Sequence, residues 1–87
     1  MRVIYERPFE RQYKKLTKDL QDKMWERFAL LVREPAHPLL NDHKLNPPYI
    51  GYRSINITGD IRLVYKKGDV QTYYLRAVGT HHQLFGT

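Results

Sequence analysis

The chain has 87 residues and no cysteine, and its 15 Lys and Arg residues outnumber its 9 Asp and Glu residues, which gives a formal charge of +6. This length predicts a single domain, residues 1–87, with one modest core and no deep cofactor pocket, and the lack of cysteine excludes disulfides, thiolate metal sites and cysteine nucleophiles. The positive charge attracts polyanions, but it does not choose among RNA, DNA, acidic lipid and an acidic protein.

We expect neither a membrane span nor a leader in this sequence. No apolar run approaches the roughly 18 residues that indicate a membrane helix. The N-terminal segment Met1–Glu6 has too short an apolar part and is charged too early to be a secretory signal. We therefore expect a mature, intracellular protein located in the cytoplasm.

The first part of the chain has the pattern of one strand followed by two helices. Arg2–Tyr5 has the length and β-branched content of a strand, and Pro8 suits the first turn of a helix. Thr17 is a candidate N-cap for a second helix, which Glu34 ends because the residue before Pro35 disfavours helical geometry. The apolar residues at helical spacing are Phe9, Tyr13 and Leu16, then Leu20, Met24, Phe28 and Leu31.

The second part of the chain has the pattern of strands after a polar connection, Pro35–Pro48. Thr80 is a candidate cap for a last helical turn over His81–Phe85. Three segments read as strands separated by turn signals: Tyr52–Ile57, Ile61–Lys66 and Val70–Val78. The order β-α-α-β-β-β predicts an α+β fold in which an antiparallel sheet carries the N-terminal helix pair on one face. The other face is then available for a functional site.

The C-terminal half also contains the residue types that cleave RNA without a metal ion. Such cleavage needs a base for a 2′-hydroxyl, an acid for the leaving 5′-oxygen and a cation for the phosphate. Histidine and arginine supply these functions, and an aromatic ring can hold an unstacked base. The candidates are His43, His81, His82, Arg53, Arg62, Arg76, Tyr52 and Phe85. Each also has an ordinary structural explanation, as a solvated side chain or, for Phe85, as a plug on the core.

Three segments, in their order along the chain, indicate a protein family more specifically than these residue types do. They are Asp42-His43-Lys44-Leu45, then Gly51-Tyr52-Arg53 leading to Asp60–Tyr65, then Gly79–Gly86, which contains Gly-Thr-His-x-x-Leu-Phe. On these residues the chain resembles the RelE/ParE toxin superfamily, and most closely its YafQ branch. The resemblance implies a type II toxin, a metal-independent and cofactor-free endoribonuclease that cleaves messenger RNA at the ribosomal A site. It also implies a cognate antitoxin as partner and contacts between the basic surface and ribosomal RNA.

The resemblance also implies roles for matching residues. It makes His43 and His81 the acid–base pair, with no assignment of which is which, and gives Asp60 a place beside them. Arg62 would face the phosphate and Phe85 would place the RNA. The further candidates for RNA binding are Lys44, Arg53, Arg76 and His82.

Two positions depart from the YafQ pattern. Asn56 stands where a histidine is usual, and Ile61 where a tryptophan is usual. An amide cannot shuttle a proton near neutral pH, and isoleucine cannot stack on a base. These departures keep open the alternative of a decayed toxin that only binds its antitoxin. Membership of the superfamily leaves a second alternative, a ParE-like toxin that acts on DNA gyrase without cleaving RNA.

Overall fold

The computed structural model describes residues 1–86, so the predicted domain boundary at residue 87 lies just outside the described part. The strands are β1 (Arg2–Tyr5), β2 (His43–Lys44), β3 (Arg53–Asn56), β4 (Ile61–Lys67) and β5 (Thr72–Thr80). The helices are α1 (Arg7–Lys15), α2 (Lys18–Arg33) and α3 (His81–Phe85), with a 3₁₀ turn at Pro38–Leu40.

The strands form one sheet in the order β1-β5-β4-β3-β2. The predicted α+β class is confirmed, but the sheet is mixed and differs from the predicted antiparallel sheet in two ways. First, β1 pairs with β5 in parallel, and the chain between them, which contains the helix pair and β2 to β4, is long enough for the crossover that parallel neighbours need. Second, His43 and Lys44, expected in a connection, pair with Ser54 and Arg53 as the edge strand β2.

The helices begin and end where the local sequence predicts. Pro8 lies in the first turn of α1, where the lost N–H has no helical partner to miss. The Thr17 side chain accepts the Leu20 N–H at the start of α2, and Glu34 caps its end. Their apolar residues pack on one sheet face to form the main core, which includes Phe9, Met24, Phe28, Leu31, Ile55, Leu63 and Leu75.

The opposite sheet face carries a smaller apolar cluster. Val64, Ala77 and Leu84 are its buried members, and Leu84 comes from α3, which therefore folds back over this face. Thr80 and Gln83 form a capping box at the start of α3. A Cβ atom at Gly79 would lie 2.7 Å from Oε1 of Gln83. Glycine at this position thus allows α3 to lie close to the strand that precedes it.

An irregularity in the pairing of β4 with β5 changes the spacing of side chains. Val64 pairs with Ala77, but Tyr65 pairs with Leu75. Arg76 is therefore an extra residue with no opposite partner, as in a β-bulge. Its guanidinium reaches Glu6, with Nη1 3.4 Å from Oε1.

Candidate functional site

Strand register brings His43 to the face that α3 covers. His43 pairs with Ser54, Ser54 with Val64, and Val64 with Ala77. Paired residues in neighbouring strands point to the same side of a sheet. Since Val64 and Ala77 pack beneath α3, His43 also projects from that side, which we call the α3 face.

Within residues 1–86 the His43 imidazole makes one hydrogen-bond contact, through Nδ1, and its Nε2 is left open. Its Nδ1 lies 2.8 Å from the carbonyl oxygen of Asn41. Because a carbonyl oxygen only accepts, this contact assigns the proton to Nδ1 and leaves Nε2 of the neutral ring with a lone pair. The side chain is exposed, so this lone pair can accept a proton from a bound molecule.

Arg62 lies in the next row of the same face. It pairs with Asn56 on one side and with Gly79 on the other. Its Nη1 donates to the carbonyl oxygens of Thr58 and Gly59 at 3.1 and 3.3 Å. These neutral acceptors orient the guanidinium beside the turn between β3 and β4 without cancelling its charge. Arg62 is therefore suited to bind a phosphate.

His81, Asp60 and Phe85 meet at the start of α3. The main-chain N–H of His81 donates to the carbonyl oxygen of Asp60 at 3.0 Å. The His81 ring lies 4.9 Å, centroid to centroid, from the ring of Phe85. His81 and Asp60 are exposed and Phe85 is half-buried. An imidazole, a carboxylate-bearing turn and an aromatic ring therefore adjoin one another at the edge of the α3 face.

Leu84 and Phe85, the two apolar residues of α3, differ in how deeply they are buried. Leu84 is only 7% exposed and belongs to the buried cluster. Phe85 packs against the rim of that cluster and contacts the Tyr49 ring edge-on at a centroid distance of 5.8 Å. Leu84 is thus the plug, and Phe85 keeps part of its ring accessible.

Arg53 and Lys44, predicted to bind RNA, do not lie on the α3 face. Arg53 pairs with Tyr65, which belongs to the helix-side core, and Lys44 pairs with Arg53. On this side of the sheet Asp42 contacts both β3 and β4, because it accepts hydrogen bonds from Arg53 Nε at 3.0 Å and from the Tyr65 hydroxyl at 2.8 Å. The hydrogen bond to Asp42 raises the pKa of Arg53. Burial, with a further effect from Asp42, raises the pKa of Tyr65.

Of the other two predicted RNA-binding residues, His82 lies beside the site and Arg76 lies away from it. His82 follows His81 in α3 and is exposed. Arg76 shares the carboxylate of Glu6 with the Tyr52 hydroxyl, which donates at 2.9 Å. Tyr52 packs against the apolar cluster of the α3 face, so Arg76 lies at the far end of that face from His81.

Two buried polar atoms on the α3 face lack a hydrogen-bond partner in the described part of the chain, and one of them belongs to Ser54, which the sequence did not single out. Ser54 Oγ and Asn56 Oδ1 have no hydrogen-bond partner within residues 1–86. Alternation along β3 puts both side chains in the same rows as His43 and Arg62. The alternating pattern of β3 was the available signal, but only the structure shows which of its polar atoms are unpaired.

No group of three or more His, Asp or Glu side chains in the described chain is arranged to hold a metal ion. No helix within residues 1–86 is both long and apolar enough to cross a membrane.

Solved structures with this fold define its class, which is that of small bacterial toxins. YafQ from Escherichia coli strain BL21(DE3) is 27% identical, with a TM-score of 0.81 over 97% of each chain. A chain of the E. coli DinJ–YafQ toxin–antitoxin complex is 26% identical, with a TM-score of 0.78 over 97% of this chain and 96% of that one. A YoeB/ParE toxin from Agrobacterium tumefaciens shares the fold at 21% identity, with a TM-score of 0.76 over 93% of this chain and 99% of that one.

The sequence comparison narrows this class to one family. The family model described as bacterial toxin of type II toxin–antitoxin system, YafQ, matches residues 1–86. The chain belongs to this YafQ toxin family, and the resemblance that the three segments indicated is confirmed. A comparison with curated protein sequences returned no match.

Proposed function

We propose that this toxin is an endoribonuclease that cleaves messenger RNA in the ribosomal A site without a metal ion. One observation carries the proposal: strand register and the return of α3 gather His43, Arg62 and His81 on the α3 face. A base, a cation and an acid on one surface are the requirements of transesterification at a phosphodiester.

In the proposed reaction His43 is the base. Its Nε2 removes the proton of a 2′-hydroxyl, and the 2′-oxygen forms a bond to the adjacent phosphorus. The bond from phosphorus to the 5′-oxygen breaks, and protonated His81 gives its proton to that oxygen. The products are a 2′,3′-cyclic phosphate and a 5′-hydroxyl. The contact of His43 Nδ1 with the Asn41 carbonyl oxygen supports its role as base, because it orients the ring with the lone pair outward.

The remaining site residues bind the RNA or orient the reacting groups. Arg62 stabilises the charge that builds on the phosphate oxygens. Phe85 offers the accessible part of its ring to a base. The Asp60 side chain, in the turn that contacts the start of α3, orients the His81 imidazole or the RNA. Asn56, whose Oδ1 has no hydrogen-bond partner within residues 1–86, takes no part in proton transfer because an amide does not titrate near neutral pH.

The partners follow from the same proposal. The solved relative is bound to its antitoxin DinJ, and we propose that this chain also has a cognate antitoxin. The ribosome places the activity in the cytoplasm. The net charge of +6 favours contacts with ribosomal RNA, because cationic side chains displace condensed counterions from a polyanion.

Cleavage of a defined message on programmed ribosomes tests the function. Wild type should cut the A-site codon, and His81→Ala should lose at least a hundredfold in rate because general acid catalysis contributes about that much. His82→Ala removes the neighbouring exposed imidazole and should keep the rate at saturating ribosome concentration. Full cleavage by His81→Ala would refute the assignment of His81. Inhibition of DNA gyrase by wild type without RNA cleavage would overturn the proposed function.

A further inference from the structure

A cationic and aromatic patch lies on the α3 face beyond the proposed cleavage residues. Lys66 Nζ lies 5.0 Å from the centroid of the Tyr52 ring and 5.1 Å from that of the Tyr74 ring. Lys66 pairs with Tyr74 across β4 and β5, and Tyr52 packs against the apolar cluster beneath α3. We call Tyr52, Lys66, Tyr74 and Arg76 the distal patch.

The charges of the distal patch are positive on balance. Lys66 and Arg76 bring two cations, and the adjacent carboxylate is Glu6, which accepts from Arg76 at 3.4 Å and from the Tyr52 hydroxyl at 2.9 Å. Lys66 forms no ion pair within the described part of the chain. The two tyrosine rings hold its ammonium group at the surface through cation–π contacts.

The position of Lys66 separates it from the phosphate that Arg62 would bind. Both residues lie on β4, four positions apart, which is about 13 Å at about 3.3 Å per residue. Lys66 would therefore reach a different phosphate of the same RNA chain. Tyr74 is half-buried and leaves part of its ring for stacking.

We propose that the distal patch is a second RNA-binding subsite, which holds a nucleotide flanking the cleaved bond. Cations that follow the backbone and aromatic rings that stack on bases are the usual combination for single-stranded RNA. An acidic protein segment would satisfy the cations but would gain less from the rings. Continuity with the cleavage face through Tyr52 also favours RNA. The inference rests on the proposed nuclease function, and it adds residues that the family resemblance did not assign.

Two adjacent lysines provide a matched test. Lys66→Gln and Lys67→Gln remove the same charge from neighbouring positions, but Lys67 contacts Tyr73 in the helix-side core. Binding is measured by fluorescence anisotropy, over a series of salt concentrations, with a single-stranded RNA carrying a 2′-deoxynucleotide at the cleaved position. Lys66→Gln should weaken binding and reduce the slope of log K against log salt by about 0.7, the value for one lost phosphate contact on a single strand. Lys67→Gln should leave the slope unchanged, and Lys66→Arg should bind like wild type.

A second variant tests the stacking part. Tyr74→Ala should weaken RNA binding about fivefold or more without changing the salt slope, because no charge is lost. Equal effects of Lys66→Gln and Lys67→Gln, or a loss for Lys66→Gln only in binding an acidic antitoxin segment, would overturn the subsite. If wild type still cleaves on ribosomes in that case, the proposed function survives. If wild type neither binds nor cleaves RNA, both proposals fail.

Discussion

The backbone N–H of His81 donates to the backbone carbonyl oxygen of Asp60 at 3.0 Å, which ties the first residue of α3 to the turn between β3 and β4. The two residues are far apart in the chain, and this bond involves neither side chain. Their relative position is therefore set by the main chain, and either side chain can be changed without moving the other residue. This makes Asp60 and His81 good positions for separating chemistry from folding.

Asp60→Asn should lower the cleavage rate about tenfold while leaving thermal stability almost unchanged. The side chain is exposed, and substitutions at exposed positions usually change stability by less than about 0.5 kcal/mol. The variant keeps the size of the side chain and removes only its charge. Single-turnover cleavage and a thermal melt measure the two effects. A rate equal to that of wild type would show that the Asp60 carboxylate is a turn former without a role in the reaction.

Ser54→Ala should make the protein more stable. Ser54 is 1% exposed, and its hydroxyl has no hydrogen-bond partner within residues 1–86. A buried polar group without a partner costs about 1–3 kcal/mol, so its removal should raise the free energy of unfolding by about 1 kcal/mol, measured by urea denaturation. A loss of stability instead would mean that the hydroxyl is satisfied in solution.

Much of this fold was predictable because its signals are local. The helix pair follows from apolar spacing and from Thr17 and Glu34 at the ends of α2. β2 was missed because two residues carry no strand pattern of their own, and their pairing depends on β3. The same pairing decides that His43 and Lys44 face opposite sides, so the sequence grouped Lys44 with the site and the structure does not.

The sides on which Ala77 and Val78 lie were not predictable for a related reason. A regular alternation along β5 would put residues 74, 76 and 78 on one side, but the irregularity between Val64 and Tyr65 shifts the register. Ala77 therefore lies on the α3 face together with Tyr74, and Val78 enters the helix-side core. Such a shift depends on how two strands pair, and it cannot be recognised from the sequence of either strand alone.

Tyr65→Phe should remove a pH dependence of stability at alkaline pH. Burial and the hydrogen bond to Asp42 raise the pKa of Tyr65 in the folded protein. A raised pKa means that the folded state holds the proton more tightly than the unfolded state. The stability from this group is thus complete below the unfolded value of about 10, and it is lost as the pH rises beyond that value.

The measurement compares urea denaturation of wild type and Tyr65→Phe between about pH 8 and about pH 11, a range that spans the ordinary tyrosine pKa. At the lower pH wild type should be more stable by about 1.5 kcal/mol or more, because the lost hydrogen bond has a charged acceptor. The difference should shrink as the pH rises. A constant difference across the range would contradict the raised pKa, since other ionising groups are common to both proteins.

Replacing threonine with alanine at the N-cap of α2 or of α3 separates an effect on stability from an effect on activity. The Thr17 side chain accepts the Leu20 N–H at 3.3 Å, and the Thr80 side chain accepts the Gln83 N–H at 3.0 Å. Replacing either threonine with alanine should cost about 1 kcal/mol of stability. Only Thr80 begins the helix that carries His81 and Phe85, so only Thr80→Ala should lower the cleavage rate, measured well below both melting temperatures. Equal rates for Thr17→Ala and Thr80→Ala would mean that the order of α3 does not limit the reaction, and the placement of His81 by this helix would then be irrelevant to cleavage.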